Sequence, residues 1–150
     1  MIAIQSNFSE VAQAIIAKMS AIDIDKMTRI QATTLMAVMR DRIHVQGLDA
    51  DGNPIGTYSP KYVKYVRNSK KYERGSDTKV IASLTRTLEN SWRIYPIQNG
   101  TGIGFTTAEQ LKKSGYVQET YKKDIFAPTQ SEIALANEIA HNYISKHFKQ

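Results

Sequence analysis

The chain has 150 residues, 41% of them hydrophobic and 23% charged, enough for one domain with a real core and an argument against global disorder. It contains no cysteine, which excludes disulfides and thiolate metal sites, and no apolar run approaches the ~20 residues needed to cross a bilayer. The formal charge is +6 and the excess is local: from Lys61 to Lys79, seven Lys or Arg residues are set against only Glu73 and Asp77.

The opening MIAIQSNFSE has no basic leader, so a signal peptide is not expected. Asn7 with Glu10 reads as a capping box for a first helix, with Val11, Ala14, Ile15 and Met19 at helical spacing. A second helix is predicted behind Asp23 or Asp25, through Met27, Ile30, Leu35, Val38, Met39 and Ile43 to a stop at Gly47. Its apolar residues occupy more than one face, so the fold or a neighbouring subunit must cover it.

From Leu48 to Lys79 the periodicity fades among Gly52, Pro54, Gly56, Pro60 and Gly75, and residues 48–79 read as an extended loop or arm. Within it, Lys61 to Asn68 has room for one or two helical turns. Strand signals follow at 91–98, with Asn99-Gly100 as the expected hairpin turn and Ile103-Gly104-Phe105 as the returning strand. Pro96 places its strand at an edge or a bulge. Thr107 with Gln110 caps a short helix that Gly115 should weaken. Thr129 with Glu132 caps the last helix, whose stripe is Ile133, Ala136, Ala140, Tyr143, Ile144 and His147. The expectation is a single α+β domain over 1–150: two N-terminal helices, a long basic loop, a small antiparallel sheet and a C-terminal helix packed on it.

Little in this pattern points to catalysis, a metal or a cofactor. Asp49, Asp51 and Asn53 imitate the start of a calcium loop, but Pro54 stands where its sharp turn needs glycine and Pro60 where it needs a bidentate Glu. Glu138 and His141 have di-iron spacing without a second copy. Gly100, Gly102 and Gly104 lack the third fingerprint glycine and close a hairpin instead of opening a helix. Ser59, Ser83 and Ser91 have no histidine partner in sequence. The expectation is therefore a protein that is not an enzyme and has neither metal nor cofactor.

The basic stretch is the serious candidate for a partner-binding site: Tyr58, Lys61, Tyr62, Lys64, Tyr65, Arg67, Lys70, Lys71, Tyr72 and Arg74. Its cations suit phosphates and its tyrosines suit stacking on bases. The same residue types serve as anchors in protein interfaces. A solvated loop with tyrosines packed on the fold is the third reading, and composition leaves all three open.

Two segments together resemble a known family. One is the helix ending in Arg42-Ile43, then Gly47, Asp51-Gly52-Asn53-Pro54, Tyr58-Ser59 and a lysine-rich run. The other is Leu84-Thr85-Arg86-Thr87-Leu88-Glu89-Asn90-Ser91, leading into Trp92-Arg93-Ile94 and similar to a Thr-Gly-x-Leu-x-x-Ser pattern, with Arg86 in place of the usual glycine. These, with Asp124-Ile125-Phe126, Pro128 and a closing helix, resemble the virion-morphogenesis and tail-completion proteins of tailed bacteriophages. The family's Tyr-Ala-x-x-His stretch before the last helix is absent, and Gly115-Tyr116-Val117-Gln118-Glu119 holds its place. The resemblance implies a non-enzymatic virion protein, made in the bacterial host cytoplasm. It would form a hexameric or dodecameric ring at the head–tail junction, between portal or connector and tail-tube or tail-terminator proteins. Nucleic acid is compatible with such a role but not required, and no membrane is involved. The Asp-Gly-Asn-Pro turn would then lead into a projecting arm.

Overall fold

The computed structural model describes residues 8–149, so the Asn7 half of the first capping box lies outside the described residues. Helix α1 spans Phe8–Ser20 and α2 spans Ile24–Asp41. Asp23 caps α2 by accepting the Lys26 amide at 2.8 Å. The end of α2 widens into a π-helical turn, Arg42–Gln46, closed by Gly47 at φ 70°. A side chain there would run into the Val80 carbonyl, so both backbone conformation and space require glycine. The wide turn sends three consecutive residues, Arg42, Ile43 and His44, into the interior.

Helix α3, Pro60–Tyr62, continues as a second π-helical turn, Val63–Arg67, and α4 is the single turn Thr87–Asn90. Strands β1 (Trp92–Ile97) and β2 (Gly100–Phe105) form an antiparallel hairpin. Helices α5 (Ala108–Tyr121) and α6 (Gln130–Lys149) complete the chain. The fold is α+β. Its core joins Met39, Ile43, Ile55, Val80, Trp92 and Ile125, roofed by the rings of Phe105 and Phe126 at 5.0 and 6.0 Å from Trp92.

Three expectations change in detail. The main partner of α6 is α2, not the sheet, and the hairpin packs on α2 as well, so α2 is the spine of the molecule. Arg42 meets Glu132 while Gln31 meets Ala136, which makes α6 antiparallel to α2. The hairpin turn falls at Gln98-Asn99, with Ile97 paired to Gly100; Asn99 takes the left-handed φ of 61°, a conformation asparagine tolerates. Gly115 does not shorten α5, because its position opens onto empty space and the helix continues to a left-handed cap at Lys122.

The glycines of β2 have a packing role. Tyr95 pairs with Gly102, and its ring lies across the strand so closely that a Cβ on Gly102 would sit 2.8 Å away and one on Gly104 3.0 Å away.

Candidate interaction surface

The segment 48–79 is organised by main-chain bonds that no periodicity announces. Ile55 donates to the Gly47 carbonyl at 2.8 Å, Tyr58 to Thr78 at 2.6 Å and Val80 to Gly56 at 3.1 Å, which lays the segment's two ends side by side. At its start Asp49 Oδ1 accepts the amides of Asp51 (3.0 Å) and Asn53 (2.8 Å), while Oδ2 pairs with Lys123 Nζ at 3.0 Å. Burial alone would raise the Asp49 pKa; the Lys123 bond and the two amides outweigh it and hold the carboxylate below its ordinary value. The carboxylate that imitates the first ligand of a calcium loop is thus committed to closing its own turn. Among the described residues no group of three His, Asp or Glu could share a metal ion.

The basic residues divide into two sets. Lys61, Lys64, Tyr65, Lys70 and Lys71 are exposed. Lys64 sits 5.1 Å from the Tyr65 ring and Lys71 5.2 Å from the half-buried Tyr72. Arg67 faces the other way. It is 2% exposed, donates Nη1 to the Ser83 carbonyl at 3.1 Å and lies 4.5 Å under the Tyr58 ring. Arg74 Nε donates to Leu84 at 2.8 Å. Arg67 and Arg74 therefore fasten the segment to residues 83–84, and Val63 is buried beside them. Over Pro60–Arg67 the chain makes the helical turns expected at Lys61 to Asn68, and Val63 and Arg67 seat them on the fold.

Seating it creates a groove. Tyr58 and Tyr62, with ring centroids 5.2 Å apart, form one wall, and Tyr116 and Tyr121 of α5 form the other. Val80, Ala82 and Leu84 line the cavity, which holds about 500 Å³. Burial raises the pKa of Tyr58 and Tyr121 above the ordinary phenol value. The sequence carried half the signal, since Tyr116, Val117, Thr120 and Tyr121 share one face of α5 at helical spacing. The other half comes from the irregular segment 80–84, where no periodicity could show it.

A second surface is apolar. Val11, Ile15, Ile16 and Met19 of α1 are 45–64% exposed, and Ile24, Ile30, Ile133 and Phe148 are exposed too. Lys18 Nζ ties α1 to the Phe148 carbonyl at the far end of α6 (3.2 Å).

No helix among the described residues is long and apolar enough to cross a membrane. Comparison of the chain with protein-family models, with curated proteins and with solved structures found no match.

Proposed function

We propose that this protein is a structural component of a tailed bacteriophage, a tail-completion or neck protein that forms a ring at the head–tail junction and contacts connector and tail proteins. The observation that carries the reading is the uncovered apolar face of α1 at one end of the fold. Four aliphatic side chains aligned on one helix face are a surface made to be covered, and a second copy or a companion protein covers it. The sequence resemblance gains one physical detail: Arg86, at the position where the family pattern has glycine, takes φ 60°, the backbone region glycine favours. The protein is read as non-enzymatic, and its charged segment as part of an assembly surface.

Sedimentation of the purified full-length chain tests this. The expected result is a concentration-dependent closed oligomer that restores infectivity to particles lacking the protein. A chain that remains a monomer at all concentrations and fails to restore particles sinks the reading.

One observation favours a second reading. Lys61, Lys64, Lys70 and Lys71 are all exposed beside Tyr65, itself 65% exposed, a combination suited to single-stranded nucleic acid. Phosphate binding by these cations to a single strand would weaken by about 0.7 log units per contact for each log unit of salt, whereas assembly through α1 would respond far less.

A further inference from the structure

We infer that the tyrosine-walled groove is the receptor for helix α1 of a neighbouring copy, so that copies join head to tail. The inference rests on the ring reading and names the contact that builds the ring.

The two surfaces match in shape. Val11, Ile15 and Met19 recur every four residues, with Ile16 beside them, which is the anchor pattern of an amphipathic helix that lies in a groove. A cavity of about 500 Å³ with Val80, Ala82 and Leu84 in its lining and tyrosines along its walls suits a few branched aliphatic side chains. Tyrosine suits the walls, because it offers apolar area at small conformational loss.

The charges match as well. Helix α1 carries Glu10 in its first turn and Lys18 in its last; Lys18 keeps its charge but directs it to the Phe148 carbonyl of its own α6, and the exposed Glu10 is the acidic group open to a neighbour. At the groove Lys61 is exposed next to Tyr62, and Lys112 stands 5.7 Å from the Tyr116 ring.

Position makes the contact intermolecular. The groove's Val80–Ala82 edge is fixed to the C-terminal end of α2, where His44 bonds the Ile81 carbonyl and Gly47 abuts Val80. Helix α1 joins the opposite end of α2 through Ala21–Asp23, and α2 is 18 residues long, about 27 Å at 1.5 Å per residue. Donor helix and acceptor groove therefore sit at opposite ends of one rigid spine. Two different patches on one chain make a heterologous contact, the kind that repeats from copy to copy and forms a ring when the rotation between copies closes.

The cysteine-free chain allows a direct test. Full-length protein carrying both Ile16→Cys and Thr120→Cys is treated with a short bis-maleimide. Ile16 is 64% exposed and Thr120 is an exposed groove residue, so neither change strains the core. The expected result is a covalent ladder of dimer, trimer and higher species in the double variant. Each single variant should give no ladder, and a mixture of the two singles should stop at dimer. In parallel, Ile16→Asp and Thr120→Trp should each weaken self-association by roughly tenfold or more, as loss of an interface anchor does. An oligomeric wild type with no ladder, and with Thr120→Trp assembling normally, would overturn this contact while leaving the ring intact. A wild type that stays monomeric and gives no ladder overturns both.

Discussion

Arg42 and Glu132 stand 90 positions apart in the chain and pair at 2.8 Å, both almost wholly removed from solvent. The guanidinium also donates to the carbonyls of Leu48 (3.0 Å), Ile125 (3.2 Å) and Ala127 (2.8 Å). The other Glu132 oxygen accepts the Thr129 amide at 2.7 Å in the capping box. One ion pair thus clamps the end of α2, the turn after it and the start of α6. Glu132→Ala strands a buried cation and should cost about 3–5 kcal/mol, a large part of the stability of a domain this size. Urea unfolding measures it, and the apolar double variant Arg42→Met with Glu132→Leu should recover little of the loss, because it leaves the Leu48, Ile125 and Ala127 carbonyls and the Thr129 amide without their partners.

His44 forms a second clamp. Trp92 Nε1 can only donate, and it does so to His44 Nε2 at 3.0 Å, so the ring's other nitrogen carries the proton and donates to the Ile81 carbonyl at 3.3 Å. Burial lowers the His44 pKa below 6.5, against the pull of that carbonyl bond. The unfolded chain takes up a proton as pH falls through 6.5 while the folded chain resists, so this site loses stability below that pH and none above it. Thermal melts at about pH 7.5 and 5.5 should show a drop that shrinks in His44→Gln. An equal drop in both proteins would clear His44 of the effect.

Arg86 holds φ 60° with no side-chain cap on α4. A non-glycine residue in that region carries roughly 1–2 kcal/mol of strain, part of which glycine returns as unfolded-state entropy. Arg86→Gly should therefore raise stability by about 1 kcal/mol and lift the melting temperature by a few degrees.

The basic segment should separate cleanly by mutation. Arg67→Ala removes a buried donor and the cation under Tyr58, and should destabilise the fold by about 1–3 kcal/mol. Replacing Lys64, Lys70 and Lys71 by Gln should leave the melting temperature almost unchanged, because all three are exposed. If both proteins melt alike, the seating of this segment is wrong. Removal of residues 61–79, which an arm would survive, should here expose the core, since Val63 and Arg67 leave with it.

The regular elements could be read from sequence because their signals are local. Asp23, Gly47, Thr107 and the Thr129–Glu132 box each act within one helical turn, and the structure uses every one of them. The interior contacts of residues 44–92 were hidden because their partners are remote. Asp49 needs Lys123, Arg67 needs Ser83, and His44 needs Trp92, and no spacing rule connects such pairs. The exposed face of α1 was written as helical periodicity, but its lack of a cover emerges only in three dimensions.

Trp92 is the chain's only tryptophan, and it lies 4% exposed where the hairpin, the end of α2 and the 80–82 segment converge. Its indole is consequently a built-in optical reporter for that junction alone. Loss of the seam should shift its emission to longer wavelength, while docking at α1 or at the tyrosine walls should leave the spectrum silent. A single cuvette can thereby tell a subunit that has come apart inside from one that has merely let go of its neighbours.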